Sequence, residues 1–197
     1  MHKVVGIFMV GFLLSSVAAA AMAGQPSYAR DTSPELAGLE TAAFQRDLAM
    51  LSAPIKSEGS LRSHVSAGLD GSPLRYLSRP ALERFLSSLQ FNENGLTSYR
   101  YSDLELELTP SQIYQVLSLF GQQHGTPMLR GAKIRSQLDM EIMAGPVPGV
   151  AAAGWEQCDV HSPSPGPSLT CGDKRGYRCM EPGTCAENSS TICTSNC

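Results

Sequence analysis

Three stretches decide the fold: SYRYSDLELEL at 98–108, TPSQIYQVLSLFG at 109–121 and KIRSQLDMEI at 133–142. In the first, Leu104, Leu106 and Leu108 alternate with Asp103, Glu105 and Glu107. That period of two predicts a strand with one buried and one acidic face. Tyr99 and Tyr101 have the opposite parity to the leucines, so a bulge or twist is expected between the two halves. In the second stretch, Thr109-Pro110-Ser111-Gln112 has the form of a capping box. Ile113, Val116, Leu117 and Phe120 then make a helical stripe that stops at Gly121. The third stretch alternates Lys133, Arg135, Gln137, Asp139 and Glu141 with Ile134, Ser136, Leu138, Met140 and Ile142, which predicts a half-buried strand. A helix is the alternative there, because Ile134, Leu138 and Ile142 also recur every four residues. Strand, helix, strand would need a right-handed crossover if the strands pair in parallel.

Working toward the N-terminus, Asn94-Gly95 marks the exit of a helix opened by Pro80, with Leu82, Phe85, Leu86 and Leu89 on its apolar face. Residues 55–73, rich in Ser and Gly, predict a loop. Before them, Thr32-Ser33-Pro34-Glu35 opens a helix over about 34–50, with Ala37, Thr41, Phe44, Leu48 and Leu51 near helical spacing. Residues 24–33 form a leader. Residues 1–23 have a short basic start, an apolar run from Val4 to Leu14, and Ala21-Met22-Ala23 as a cleavage pattern. They read as a signal peptide, which predicts a secreted or periplasmic protein with no membrane span after cleavage.

Working toward the C-terminus, Gly145-Pro146-Val147-Pro148-Gly149 and Ala151 to Gly154 break the pattern and read as a linker over 145–154. Beyond it, residues 155–197 contain all six cysteines and few large apolar side chains. A segment of roughly forty residues rarely folds alone without cross-links or metal. Cys158, Cys171, Cys179, Cys185, Cys193 and Cys197 therefore read as a disulfide framework of open connectivity. Zinc is the competing reading, but only Cys193 and Cys197 approach the close pair spacing of structural zinc sites. Asn188-Ser189-Ser190 is a glycosylation sequon, or a polar turn where the host does not glycosylate.

The expected architecture is an α+β body at 34–144, with three helices and two or more amphipathic strands, followed by a small disulfide-rich module. The net charge of −3 offers no basic excess for a nucleic-acid partner. There is no G-x-S-x-G, H-E-x-x-H, G-x-x-x-x-G-K or G-x-G-x-x-G, so no cofactor, metal or catalytic set is expected. His64, His124 and His161 read as solvated loop residues. Two surface candidates stand out. Tyr99, Arg100 and Tyr101 could form an aromatic patch for a protein, peptide or glycan partner. Asp103, Glu105 and Glu107 form an acidic row able to hold a hard cation or serve glycoside chemistry, or simply to keep a strand edge solvated. The composite reading is an exported, non-catalytic binding protein. The alternatives are a precursor releasing a cystine-rich toxin, inhibitor or signal at the linker, with Gly172 to Arg178 as the inhibitory loop, and an exported hydrolase using the acidic row.

Overall fold

The computed structural model describes residues 34–145 and 172–197. The expected signal peptide and leader (1–33), the linker beyond residue 145, and Cys158, His161 and Cys171 lie outside the described residues. The chain is α+β, with a body of helices on a four-stranded antiparallel sheet of order β1-β2-β4-β3.

Helix α1 (Pro34–Ser52) runs slightly past the expected end and stops before Pro54. The predicted loop that follows contains α2 (Glu58–Ser66) and a 3-10 turn at Pro73–Tyr76. The serines that suggested a loop are caps: Ser57 and Ser60 form a reciprocal capping box, and Ser72 caps the turn. Such residues favour helix ends as strongly as loops, so composition alone misassigned the segment.

Helix α3 (Arg79–Ser88) carries its expected apolar face, with Ser78 as N-cap and Pro80 in the first turn. Asn94-Gly95 does not end that helix; it turns a hairpin between β1 (Gln90–Asn92) and β2 (Gly95–Arg100). Gly95 sits at φ +113°, where a side chain would be strained.

Two predicted strands are helices. After β2, Ser102–Glu107 form the short helix α4, which buries Leu104 and, just beyond it, Leu108, and leaves Leu106 66% exposed. A strand would have put all three leucines on one face. Spacing of four suits a helix equally well, and Leu and Glu are strong helix formers without the β-branched bulk that favours strands. The 133–142 stretch likewise folds as α6 (Gln137–Met143), opened by a Ser136/Asp139 capping box. Ile134, Leu138 and Met140 are exposed, so its alternation never faced a core. Between these elements lie α5 (Pro110–Ser118), with the expected Thr109/Gln112 box, and a 3-10 segment at Gln123–Met128.

The sheet is completed from the C-terminal segment by β3 (Lys174–Glu181) and β4 (Thr184–Cys193). Strand β4 pairs with β2 through Ser98 and Cys193, Tyr99 and Ile192, and Arg100 and Thr191. Beyond the strand ends, Tyr101 donates its amide to Ser190 O at 3.0 Å and Thr194 donates to Thr97 O at 2.9 Å. Ile192 is fully buried in the core with Phe85, Leu96, Tyr99, Leu104, Ile113, Leu117 and Phe120. Edge-to-face contacts link Phe85 to Tyr99 at 6.5 Å and to Phe120 at 6.0 Å. The described part of the cysteine-rich segment thus shares both sheet and core with the body. Two bridges brace it: Cys179–Cys197 and Cys185–Cys193. Among the described residues, no helix is long and apolar enough to cross a membrane.

Candidate functional site

The aromatic trio does not form a surface patch. Tyr99 is fully buried on β2, and Tyr101, just past the strand, is buried with its hydroxyl donating to Ser189 O at 2.7 Å. The Arg175 guanidinium stacks 4.4 Å from the Tyr101 ring centre. Arg100 turns to Asp103, 3.1 Å away, and donates from Nε to Ser102 Oγ.

The acidic row is not a row either, because α4 distributes its carboxylates around a helix. Asp103 is buried and meets Arg84 at 2.7 Å as well as Arg100. Glu105 meets Arg175 of β3 at 3.0 Å and accepts from the Gly131 amide at 3.1 Å. Glu107 accepts from both the amide and the hydroxyl of Ser78, each at 2.7 Å, at the start of α3. All three acids anchor neighbouring elements.

The remaining histidines are not simply solvated. His64 Nε2 lies 2.9 Å from Ser72 Oγ, which ties α2 to the following turn. His124 is mostly buried, with Nε2 3.2 Å from Oδ2 of the buried Asp173. This is a close polar contact off the hydrogen-bonding line, since neither atom has an aligned partner. Asp173 Oδ1 accepts from the Ser195 amide at 2.8 Å. Burial pushes the Asp173 carboxyl up, but the His124 contact, the Ser195 amide and the charge of Arg46 together hold it below the ordinary carboxylate value. The Tyr99 hydroxyl faces the same spot without a partner, and burial, with the Asp173 charge, pushes its pKa well above the usual tyrosine value. Gly125 keeps the space open: a Cβ there would lie 3.3 Å from Tyr99 Oη and 3.4 Å from Asp173 Oδ2. Tyr99, His124 and Asp173 come from β2, the 3-10 segment and the residue before β3. No spacing in the sequence announces them. Chemically, the cluster joins the body to the tail; neither ring nitrogen of His124 reaches a hydrogen-bonding nucleophile.

A second feature lies on α1. Its inward side, Arg46, Ala49 and Met50, is half-buried and continues into the buried Ala53. Gly121, at φ +72°, meets this side so closely that a Cβ would lie 2.8 Å from Met50 Cα. The outward side carries Phe44, Leu48 and Leu51, exposed by 59%, 43% and 73%. At about 3.6 residues per turn, these three stand on a narrow stripe about half a turn from the docked side. Asp47 borders the stripe, exposed.

Compared with known protein families, curated proteins and solved structures, the chain matches none.

Proposed function

We propose that the chain is an exported, non-catalytic interaction protein whose contact surface is the outward face of α1. The observation that carries this reading is the Phe44, Leu48 and Leu51 stripe. A helix that packs one face on its own body has no structural need of a second apolar face, and such faces mark contact surfaces. The partner is a protein presenting an apolar helix or strand beside a lysine or arginine. Asp47 supplies the matching charge, and the stripe offers nothing for a nucleic-acid backbone. The disulfide-braced hairpin acts as the clamp that holds the platform together. Its two bridges fit an oxidising compartment, in line with the signal-like residues 1–23.

Release of the tail as a free peptide is the weaker reading. Strand β4 supplies Ile192 to the core and ladder bonds to β2. A cut in the Gly/Pro-rich linker would leave those contacts in place.

Site-specific photo-crosslinking tests the proposal in the native setting, with the probe at Leu48 and a control probe at the exposed Asp70. The expected result is one discrete adduct with a different protein from Leu48 only, lost on Phe44→Asp with Leu51→Asp. A self-adduct, or equal labelling from both positions, would overturn it.

A further inference from the structure

Three cysteine sulfurs, those of Cys179, Cys193 and Cys197, lie close together on the hairpin and the turn that follows it. Cys179 and Cys185 stand opposite each other in the β3–β4 ladder, yet each bonds to a cysteine further along the chain. The Sγ atoms of Cys179, Cys193 and Cys197 all lie within 4.8 Å of one another, so the two bridges abut. A tetrahedral zinc–thiolate centre has metal–sulfur bonds of about 2.3 Å, which places its sulfurs about 3.8 Å apart. Opening both bridges would let the bonded Cys179 and Cys197 sulfurs separate toward that spacing while Cys193 already stands beside them.

The geometry points to a latent thiolate metal site: Cys179, Cys193 and Cys197 bind one zinc-class divalent cation when reduced and none when oxidised. Each bridge takes two electrons and two protons from an external dithiol, which is itself oxidised to a disulfide. The resulting thiols lose their protons as they ligate the metal. Reoxidation of the sulfurs by an external disulfide reverses the step and expels the ion.

Contacts other than the bridges also hold two of these cysteines. Cys193 follows the buried Ile192 and pairs with Ser98 of the body, and the Gly183 amide donates to Cys197 O at 2.6 Å. A preformed cluster of this kind differs from zinc modules that are unfolded until the metal arrives. The inference is independent of the α1 contact surface. Export determines only which of the two states prevails.

The experiment uses the full chain without its first 23 residues, oxidised or reduced with a phosphine, and titrated anaerobically with Co2+ and then Zn2+. The reduced chain is expected to develop a sulfur-to-cobalt charge-transfer band at one ion per chain, displaced by zinc; the oxidised chain should show none. Cys193→Ser should weaken binding by at least about tenfold, the scale on which even outer-shell changes act. Joint Cys158→Ser and Cys171→Ser should leave it unchanged, which separates the cluster from those two cysteines. Circular dichroism follows the fold throughout. A reduced chain that unfolds and takes no cobalt overturns the proposal, because it requires the sheet to hold the cluster. So does a folded reduced chain that only re-forms scrambled bridges, or binding that Cys193→Ser leaves intact.

Discussion

The body core and the hairpin end are held by different physics. Around Phe85, Tyr99 and Phe120 the chain buries aromatic and aliphatic side chains without a single cysteine. At the hairpin end β3 is mostly half-exposed, and two bridges do the holding. The join between them belongs to neither regime. There, strand pairing, the buried Ile192 and the polar Tyr99–His124–Asp173 cluster connect a segment poor in apolar residues to a core it could not build for itself. The contrast shows that a cysteine-dense segment need not be autonomous: cross-links brace it internally while a borrowed strand position ties it to the body.

The largest test of that contrast is Phe85→Ala. Removing a fully buried ring that two other rings contact should cost about 3–5 kcal/mol. Denaturant unfolding should show the loss with tail and body melting together. Separate transitions would mean that the tail has its own stability after all.

Replacing Cys185 and Cys193 by Ser should cost about 2–4 kcal/mol, with the loss concentrated at the hairpin end. Hydrogen exchange can locate it. The Tyr101 and Thr194 amides, bonded to Ser190 O and Thr97 O, should stay protected while the Tyr177 to Arg178 amides open. Equal loss at both places would erase the distinction between the two ends.

Acid should loosen the junction. Asp173 and Asp139 both titrate below the ordinary value of 3.8 when folded. For Asp139, burial pushes up but is outweighed by the amides of Arg135 and Ser111 and the hydroxyls of Ser111 and Ser136. A lowered folded pKa gives stability that is present above the unfolded pKa and lost as pH falls through the folded one. Unfolding midpoints should therefore decline from about pH 5 downward, the window in which such carboxylates lose their stabilisation, and Asp173→Asn should flatten that decline. An unchanged slope in Asp173→Asn would remove the cluster from the account of the joint.

The smallest expected effect is Leu106→Ser, within about 0.5 kcal/mol, because α4 leaves that side chain in solvent. A strand over 98–108 would instead lose a core leucine, at about 2–5 kcal/mol. Thermal unfolding distinguishes the two readily.

Helices α3 and α5 are legible from local pattern because apolar stripe and leading proline agree, with a capping box besides at α5, although the end of α3 lies six residues before Asn94-Gly95. The 103–108 and 133–142 stretches were misread because leucines spaced by two include leucines spaced by four. Burial of Asp103 against Arg84 and Arg100 favours the helix, and that involves residues from two other elements. The sites divide in the same way. The cysteines are visible as a bridge framework, whereas nothing local reveals the partners that bury Tyr99 and Tyr101 and engage the acids. His124 and Asp173, far apart in sequence, became neighbours only through the fold.

By itself the sequence determined an α+β body, the starts of its best-patterned helices and a tail dependent on sulfur, since each follows from side-chain type and short-range spacing. Only tertiary structure decided that β4 enters the body's sheet, which sulfurs bond, and that α1 keeps an apolar face outward. Those outcomes depend on which distant surfaces meet, and a one-dimensional pattern carries no record of distance across the fold.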